Sequence, residues 1–402
     1  MTRILFRGGQ VFDGVATMRA DVAVEQGRIS AVAPTIESGV DDQVIEIAGA
    51  LVAPGLIDCH VHAQFDSMDM NRIQQQPFSM QFFTAKSTFE RLLHSGVTTI
   101  RDAGGIDLGV KTAVAQGLIA GPRMQIAISV LSQTGGHADG WNVHGDLQRL
   151  LIPHPGRPDS VVDGADEMRK RVREIIRAGA DIIKICASGG VMSTRDDPKH
   201  PQFSYEELAV CVEEAADQGR HVMAHAHGAE GIKRALRAGV RSIEHGIYID
   251  DECLALFAET GAWLVPTLLA PIALVEAIDA GMVVTAEIED KARGVADTHL
   301  AAIARAHQAG VRIAMGTDSG VFTHGRSPRE LSLLVRAGMT PEQALHTATR
   351  SAAQLLELDA EIGSVEAGKV ADLIVLDGDW RDFDRFDDNL RIVMQGGQLI
   401  RS

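Results

Sequence analysis

Through the middle of the chain one hydrophobic and polar rhythm repeats. A stretch with apolar residues at helical spacing leads to a small-Gly-small step, then to a short β-rich apolar run ending in polar or glycine residues. The step recurs at Ser95-Gly96-Val97, Ala178-Gly179-Ala180, Ala238-Gly239-Val240, Thr260-Gly261-Ala262 and Ala309-Gly310-Val311. Glycine just past a helix readily adopts the left-handed conformation that ends it, so each step reads as a helix-to-strand junction. The runs predict strands over Gly55–His62, Val97–Asp102, Arg123–Ser132, Asp181–Ala187, His221–His227, Arg241–His245, Trp263–Leu268 and Arg312–Asp318. Eight strands alternating with helices predict an α/β fold, a (β/α)8 TIM barrel. The alternative, an open doubly wound sheet, calls for a G-x-G-x-x-G type crevice that is not found.

Both ends of the chain are patterned differently. Residues 1–54 alternate apolar and polar positions in short pieces with turns at Gly14, Gly27 and Gly49, and residues 365–402 do the same through Ala371–Leu376 and Leu390–Leu399. These segments suit a small β-sandwich domain formed by both termini, with the barrel of residues 55–364 inserted between its halves. Two connections are long for loops that follow barrel strands, 63–81 and 133–163, and such loops usually cover or shape a site.

A barrel builds its site from polar residues at the C-terminal ends of its strands. In Gly55-Leu-Ile-Asp-Cys-His-Val-His62, strand alternation predicts Asp58, His60 and His62 on one face and Cys59 and Val61 on the other. Two imidazoles side by side can fill two positions on a divalent metal. The fourth strand carries Lys184 in the apolar run Ile182-Ile-Lys-Ile-Cys186, where a buried cation must be paired, deprotonated or modified. A neutral amine there can add carbon dioxide to give a carbamate, a bidentate anionic bridge for two metals. The fifth strand ends His225-Ala-His227, the sixth Glu244-His245-Gly246 and the eighth Gly316-Thr-Asp318. Each residue alone has a plain structural reading: a hydrogen-bonded core histidine, an ion-paired lysine, an aspartate capping a turn. Their joint placement at matching strand ends points instead to a metal site.

Composition narrows the remaining classes. A formal charge of −16 over 402 residues argues against nucleic-acid or anionic-membrane partners, which are bound mainly through surplus Lys and Arg. Cys59, Cys186, Cys211 and Cys253 form no C-x-x-C pair, so reduced thiols are expected. The opening MTRILFRGGQVFDG lacks the features of a signal peptide and no apolar run approaches 18 residues, which together predict a cytoplasmic protein.

With these motifs in view, the chain resembles the amidohydrolase superfamily over essentially its whole length. The resemblance rests on Ala53–His62, Ile183-Lys-Ile185, His225, His245-Gly246, Gly316-Thr-Asp318 and the tail Gly368–Leu376. In binuclear members, the residues matching His60, His62 and Asp318 bind the more buried metal and those matching His225 and His245 the second, with carboxylated Lys184 bridging them. The resemblance thus implies two divalent ions, most readily zinc, and a shared hydroxide as nucleophile. It also implies that Asp318 carries the proton to the leaving amine, with His137 and His227 as donors to the oxyanion. For those two histidines the competing role is support of a ligand.

Ser132–His137, Val162-Asp-Gly164, Lys184–Val191 and Met223–Gly228 are similar to the prolidase-like branch of Xaa-Pro dipeptidases, Xaa-Arg and Xaa-Lys carboxypeptidases and N-acyl amino acid amidases. His227 stands where proline-specific members tend to have Tyr, which favours the carboxypeptidase-like members. The implied substrate is a dipeptide or N-acyl amino acid, and relatives are often homo-oligomers. Alternatives are a hydrolase of a cyclic amide, carbamate or ester on the same centre, a mononuclear deaminase, or a non-catalytic binding protein. Arg195 is a candidate for a substrate carboxylate, Asp66, Asp69, Asp139 and Asp146 for a cationic side chain, and Tyr248 and His324 for pocket walls.

Overall fold

The computed structural model describes residues 2–67, 69–142, 144–193 and 196–402, with the side chains of Met70 and Asn71 left out. Its centre is a parallel barrel. The strands are β1 (Leu56–Val61), β2 (Val97–Asp102), β3 (Arg123–Ile126), β4 (Ile182–Cys186), β5 (His221–Ala226), β6 (Ser242–His245), β7 (Trp263–Val265) and β8 (Arg312–Ile313). β1 to β3 pair in one run, and β4 to β8 in a second. Backbone bonds from Cys59 N to Met315 O (2.9 Å) and from His62 N to Ser319 O (2.7 Å) join β1 to the segment after β8.

The continuous third strand predicted over Arg123–Ser132 is in fact broken. Ile128 takes a left-handed φ of 66°, and beyond it Val130–Leu131 pairs with β4 while Arg123–Ile126 pairs with β2. One break lets a single segment hand the barrel wall from one run to the next. The seventh and eighth strands are also shorter than their apolar runs, ending at Val265 and Ile313, and positive φ follows at Thr267 (54°) and Asp318 (60°).

Helices cover the barrel for local reasons. Ala165–Arg177 buries Met168, Val172 and Ile175 on one stripe. Tyr205–Ala216 begins with a capping box between Ser204 and Glu207. Ala229–Ala238 ends at Gly239 with φ 93°, as the small-Gly-small step predicts. Between helices and strands lies the main apolar core, which takes in Phe89, Ile100, Ile183, Ile185, Ala224, Ile243 and Leu264.

The termini build two further sheets. One has four strands from residues 4–46, and the other has six, in which Leu373–Leu376 lies antiparallel to Leu51–Pro54. Phe6, Val11, Val24, Val52, Val375 and Met394 share one apolar cluster, so the two ends of the chain depend on each other for burial. Among the described residues no helix is long and apolar enough to cross a membrane. All four cysteines are free and buried.

Candidate metal centre

Strand-end side chains converge at the C-terminal mouth of the barrel into two groups, each with ligand atoms close enough to share one ion. His60, His62 and Asp318 form the first, and His225, His227 and His245 the second. Asp318 Oδ1 lies 3.4 Å from both His60 Nε2 and His62 Nε2. Lys184 Nζ lies 3.4 Å from His60 Nε2. The ring centres of His60 and His245 are 5.0 Å apart, so the two groups adjoin.

The sequence reading put His225 and His245 on a second metal and His227 on the substrate. All three histidines come together, with His227 4.4 Å from His225 and 4.8 Å from His245 between ring centres. His137 reaches in from the long loop, stacked on His225 at 4.4 Å, with Nδ1 2.9 Å from the Ser193 hydroxyl. Gly190 makes room for it: a Cβ there would sit 2.0 Å from the His137 ring. At Gly316 of the Gly-Thr-Asp motif a Cβ would stand 2.3 Å from Val265 Cγ1 and 3.0 Å from His60 N and Cβ, so β7 and β1 both close on it.

Two residues to which the sequence reading gives no role hold the first group in place. Glu244 accepts from His60 Nδ1 at 2.7 Å and from Arg101 Nη2 at 2.9 Å, while Arg101 Nε donates to Cys59 O at 2.6 Å. Arg101 in Val97-Thr-Thr-Ile-Arg-Asp102 is, like Lys184, a cation inside an apolar strand, and that signal could have found it. Burial opposes the Glu244 charge, but Arg101, His60 and Lys184 overcome it and bring its pKa down to about 2. His245 is aimed by Thr267 Oγ1 at 2.7 Å from its Nδ1.

Glu244→Gln keeps the shape and removes the charge, leaving Arg101 buried without its counter-ion. Equilibrium unfolding is expected to show a loss of about 3–5 kcal/mol. Metal titration is expected to show roughly 10–100-fold weaker binding, because the partner that orients His60 is gone.

Asp58 departs from the predicted face. The β1–β2 register shifts between Asp58 and Val61, and this extra residue breaks the alternation. Cys59 and Val61 consequently fall in different apolar clusters. The Asp58 carboxylate takes the Thr317 hydroxyl at 2.7 Å and the Thr317 N–H at 3.1 Å, and so braces the turn that carries Asp318.

The electrostatics suit a metal. Burial pushes His60 down to about 4, with Lys184 adding to the shift, and pushes His225, His227 and His245 well below the usual imidazole range, so these rings are neutral at pH 7, the form that can bind a metal. For His62, burial is outweighed by the Asp318 hydrogen bond and charge, which raise its pKa. Burial opposes the Asp318 charge too, yet His60, His62 and Lys184 hold its pKa at about 2. Lys184 is 3% exposed, has no ion pair among the described residues, and is pushed down by burial. The His227 Nδ1 atom is buried and unpartnered. A buried amine with no ion pair among the described residues, between two groups of metal-competent side chains, fits a carbamate and two cations.

One cavity of about 1240 Å3 holds both groups. The loop over 133–163 lines it, as expected of a long connection on this face. The 63–81 connection instead folds into the helices Met70–Gln75 and Met80–His94, and only its Asp69 reaches the cavity among the described residues. Asp139 also lines it, but Asp66 pairs with Arg72, and Asp146 stands outside. Arg195 lies outside the described residues. A wall the sequence reading missed is the helical hairpin Leu269–Asp279 and Ala286–Gln308, inserted between β7 and β8. Tyr248 and His324 do not line the cavity: Tyr248 lies under Lys199, and His324 Nε2 donates to Phe65 O at 2.7 Å.

Burial depresses His324 and His299 to about 4 each. Between pH 6.5 and 4 the unfolded chain takes up protons at these sites and the folded chain does not, so stability is lost as pH falls through that window. His324→Gln can keep the bond to Phe65 O, and its melting temperature is expected to fall less steeply over that range.

A family model described as the amidohydrolase family matches residues 51–400. An ochratoxinase from Aspergillus niger is 37% identical over 369 residues, 87% of this chain and 76% of that protein. Among solved structures, a Xaa-Pro dipeptidase with methionine bound in its active site aligns at TM-score 0.90 and 34% identity over all of both chains. The A. niger ochratoxinase structure aligns at TM-score 0.85 and 32% identity over all of this chain and 96% of that one.

Proposed function

The chain belongs to the amidohydrolase family, and on that premise we propose that it hydrolyses an amide bond to release a free amino acid, using two divalent ions. The observation that carries this reading is the unpaired, buried Lys184 lying against His60 and between two groups of metal-competent side chains. His60, His62 and Asp318 would hold one ion, His225 and His245 the other. Lys184 would bridge them once its neutral amine has added carbon dioxide, forming an N–C bond and releasing a proton. Bound there, the ions, zinc being the expected pair, supply Lewis acidity and lower the pKa of water toward 7.

The rest of the work falls to side chains. Asp318, ionised and within reach of both His60 and His62, takes the proton of the attacking water and returns it to the departing nitrogen, which leaves as a neutral amine. His137 and His227, each with its ring centre 4.4 Å from that of His225, donate to the oxygen that gains charge as the carbonyl is attacked. Arg101 and Glu244 act through His60 by fixing its tautomer.

The test is amino-acid release from a library of N-acyl amino acids and dipeptides by metal-loaded protein. Release is expected, with loss on chelation and recovery on adding zinc. Turnover confined to cyclic amides or esters would overturn the assignment. So would a single metal equivalent unaffected by replacing Lys184, which is the expectation for a mononuclear deaminase.

A further inference from the structure

Thr267 stands just past β7 in a backbone conformation that its side chain opposes. Its φ is 54°, and a β-branched residue stays in the left-handed region only where its surroundings over-determine it. The residue is fully buried, and its hydroxyl lies 2.7 Å from His245 Nδ1. A strained residue in contact with a metal-competent histidine marks a turn that another group must hold.

Glu330 is that group. From the helix Arg329–Arg336 its carboxylate accepts Leu268 N and Leu269 N, each at 2.7 Å. These are the two peptide groups directly after Thr267, and they open the helix Leu269–Asp279, whose cap residue Leu268 has no side-chain acceptor. Glu330 is fully buried and forms no ion pair among the described residues. Burying a carboxyl group without a cation is costly, and a Ser or Asp at position 268 could cap the helix locally. An acceptor from 62 positions away instead ties the turn after β7 to the helix after β8.

The Thr267 contact decides which His245 nitrogen is left for an ion. With Nδ1 donating to the hydroxyl oxygen, the lone pair lies at Nε2. His299 Nε2 reaches only the His245 backbone oxygen, at 2.9 Å, and leaves the rotation of the ring to Thr267. We infer that Glu330 is a positioning residue for the second group of histidines: by locking the 267–269 turn it keeps Thr267 on His245 Nδ1 and so presents Nε2 to the ion. This rests on the two-ion reading above, and Glu330 itself does not line the cavity.

The test follows the ring nitrogens by NMR in protein carrying isotope-labelled histidine, first free of metal and then titrated with zinc alone. The His245 signal is identified by its loss in His245→Gln. In the wild type it is expected to show a proton on Nδ1 and none on Nε2. Glu330→Gln offers one acceptor to two N–H groups and should turn that signal into a mixture of tautomers. One of the two zinc equivalents should then bind about 10-fold more weakly, with the other unchanged. Glu330→Asp keeps the charge but falls short of the turn, so it should reproduce both effects. Thr267→Gly suits the backbone conformation and removes the hydroxyl, so it should fold and weaken the same equivalent. Adding Glu330→Gln to Thr267→Gly should cost that ion nothing further, because the path from Glu330 to the ring is already cut. An unchanged His245 tautomer in both Glu330 variants overturns the assignment. So does equal weakening of both equivalents, the mark of general loosening, or full additivity in the double variant. A single zinc equivalent in the wild type overturns the two-ion reading instead, and the metal-free spectra still decide the role of Glu330.

Discussion

Replacing Lys184 with methionine should lower kcat/KM by at least about 10³ and reduce the bound metal from two equivalents to one or fewer, since one side chain is asked to bridge both ions. Lys184 is 3% exposed, its Nζ lies 3.4 Å from His60 Nε2, and it forms no ion pair among the described residues. A charged lysine in that setting is costly, and a neutral one is a nucleophile for carbon dioxide. Methionine has a similar length and is apolar, so folding should survive or improve slightly, because an unpaired polar group leaves the interior. Metal analysis on the purified variant, alongside intact mass of the wild type under native conditions, checks both halves. Two full equivalents in the variant would show that Lys184 is not a bridge.

The second large effect is expected from Asp318→Asn, a near-isosteric change that removes the proton acceptor. Positioned acid–base groups contribute roughly 10²–10⁴-fold, and kcat should fall within that range with KM changed little. Asp318 is ionised at neutral pH, its pKa brought down to about 2 against burial with the His62 hydrogen bond among the causes. The amide can still offer an oxygen to an ion but cannot take a proton from water. Retention of metal together with lost turnover is therefore the outcome that separates proton handling from ligation. Loss of both metal and turnover would assign Asp318 to ligation alone. Amides with good leaving groups, such as anilides, should be impaired less than alkyl amides, because their nitrogen depends less on a delivered proton.

Much of this centre is legible in the sequence. His60, His62, Lys184, His225, His245 and Asp318 each stand at the end of an apolar run, and the barrel brings them to one mouth. The glycines of the small-Gly-small steps do take positive φ at 96, 179, 239, 261 and 310. Where the reading went astray, a non-local cause is visible. Asp58 left the predicted face because β1 gains a residue against β2. His324 reads as a pocket wall from its position past β8, yet its ring turns to the Phe65 carbonyl. The hairpin wall was overlooked because its apolar residues look like those of any helix that packs on a barrel.

By itself the sequence determined which chemistry is available and at which end of the barrel it collects. Strand alternation, helix termination and strand-end position are set by backbone geometry within a few residues, so local spacing reveals them. Only the tertiary structure decided that Glu244 meets His60 across 184 positions, that Arg101 closes the same network, and that the β7–β8 connection lies over the cavity as an apolar wall. Those contacts depend on how the barrel closes and on which inserted element covers its mouth. No short-range period encodes either, because both are settled by packing between segments far apart in the chain.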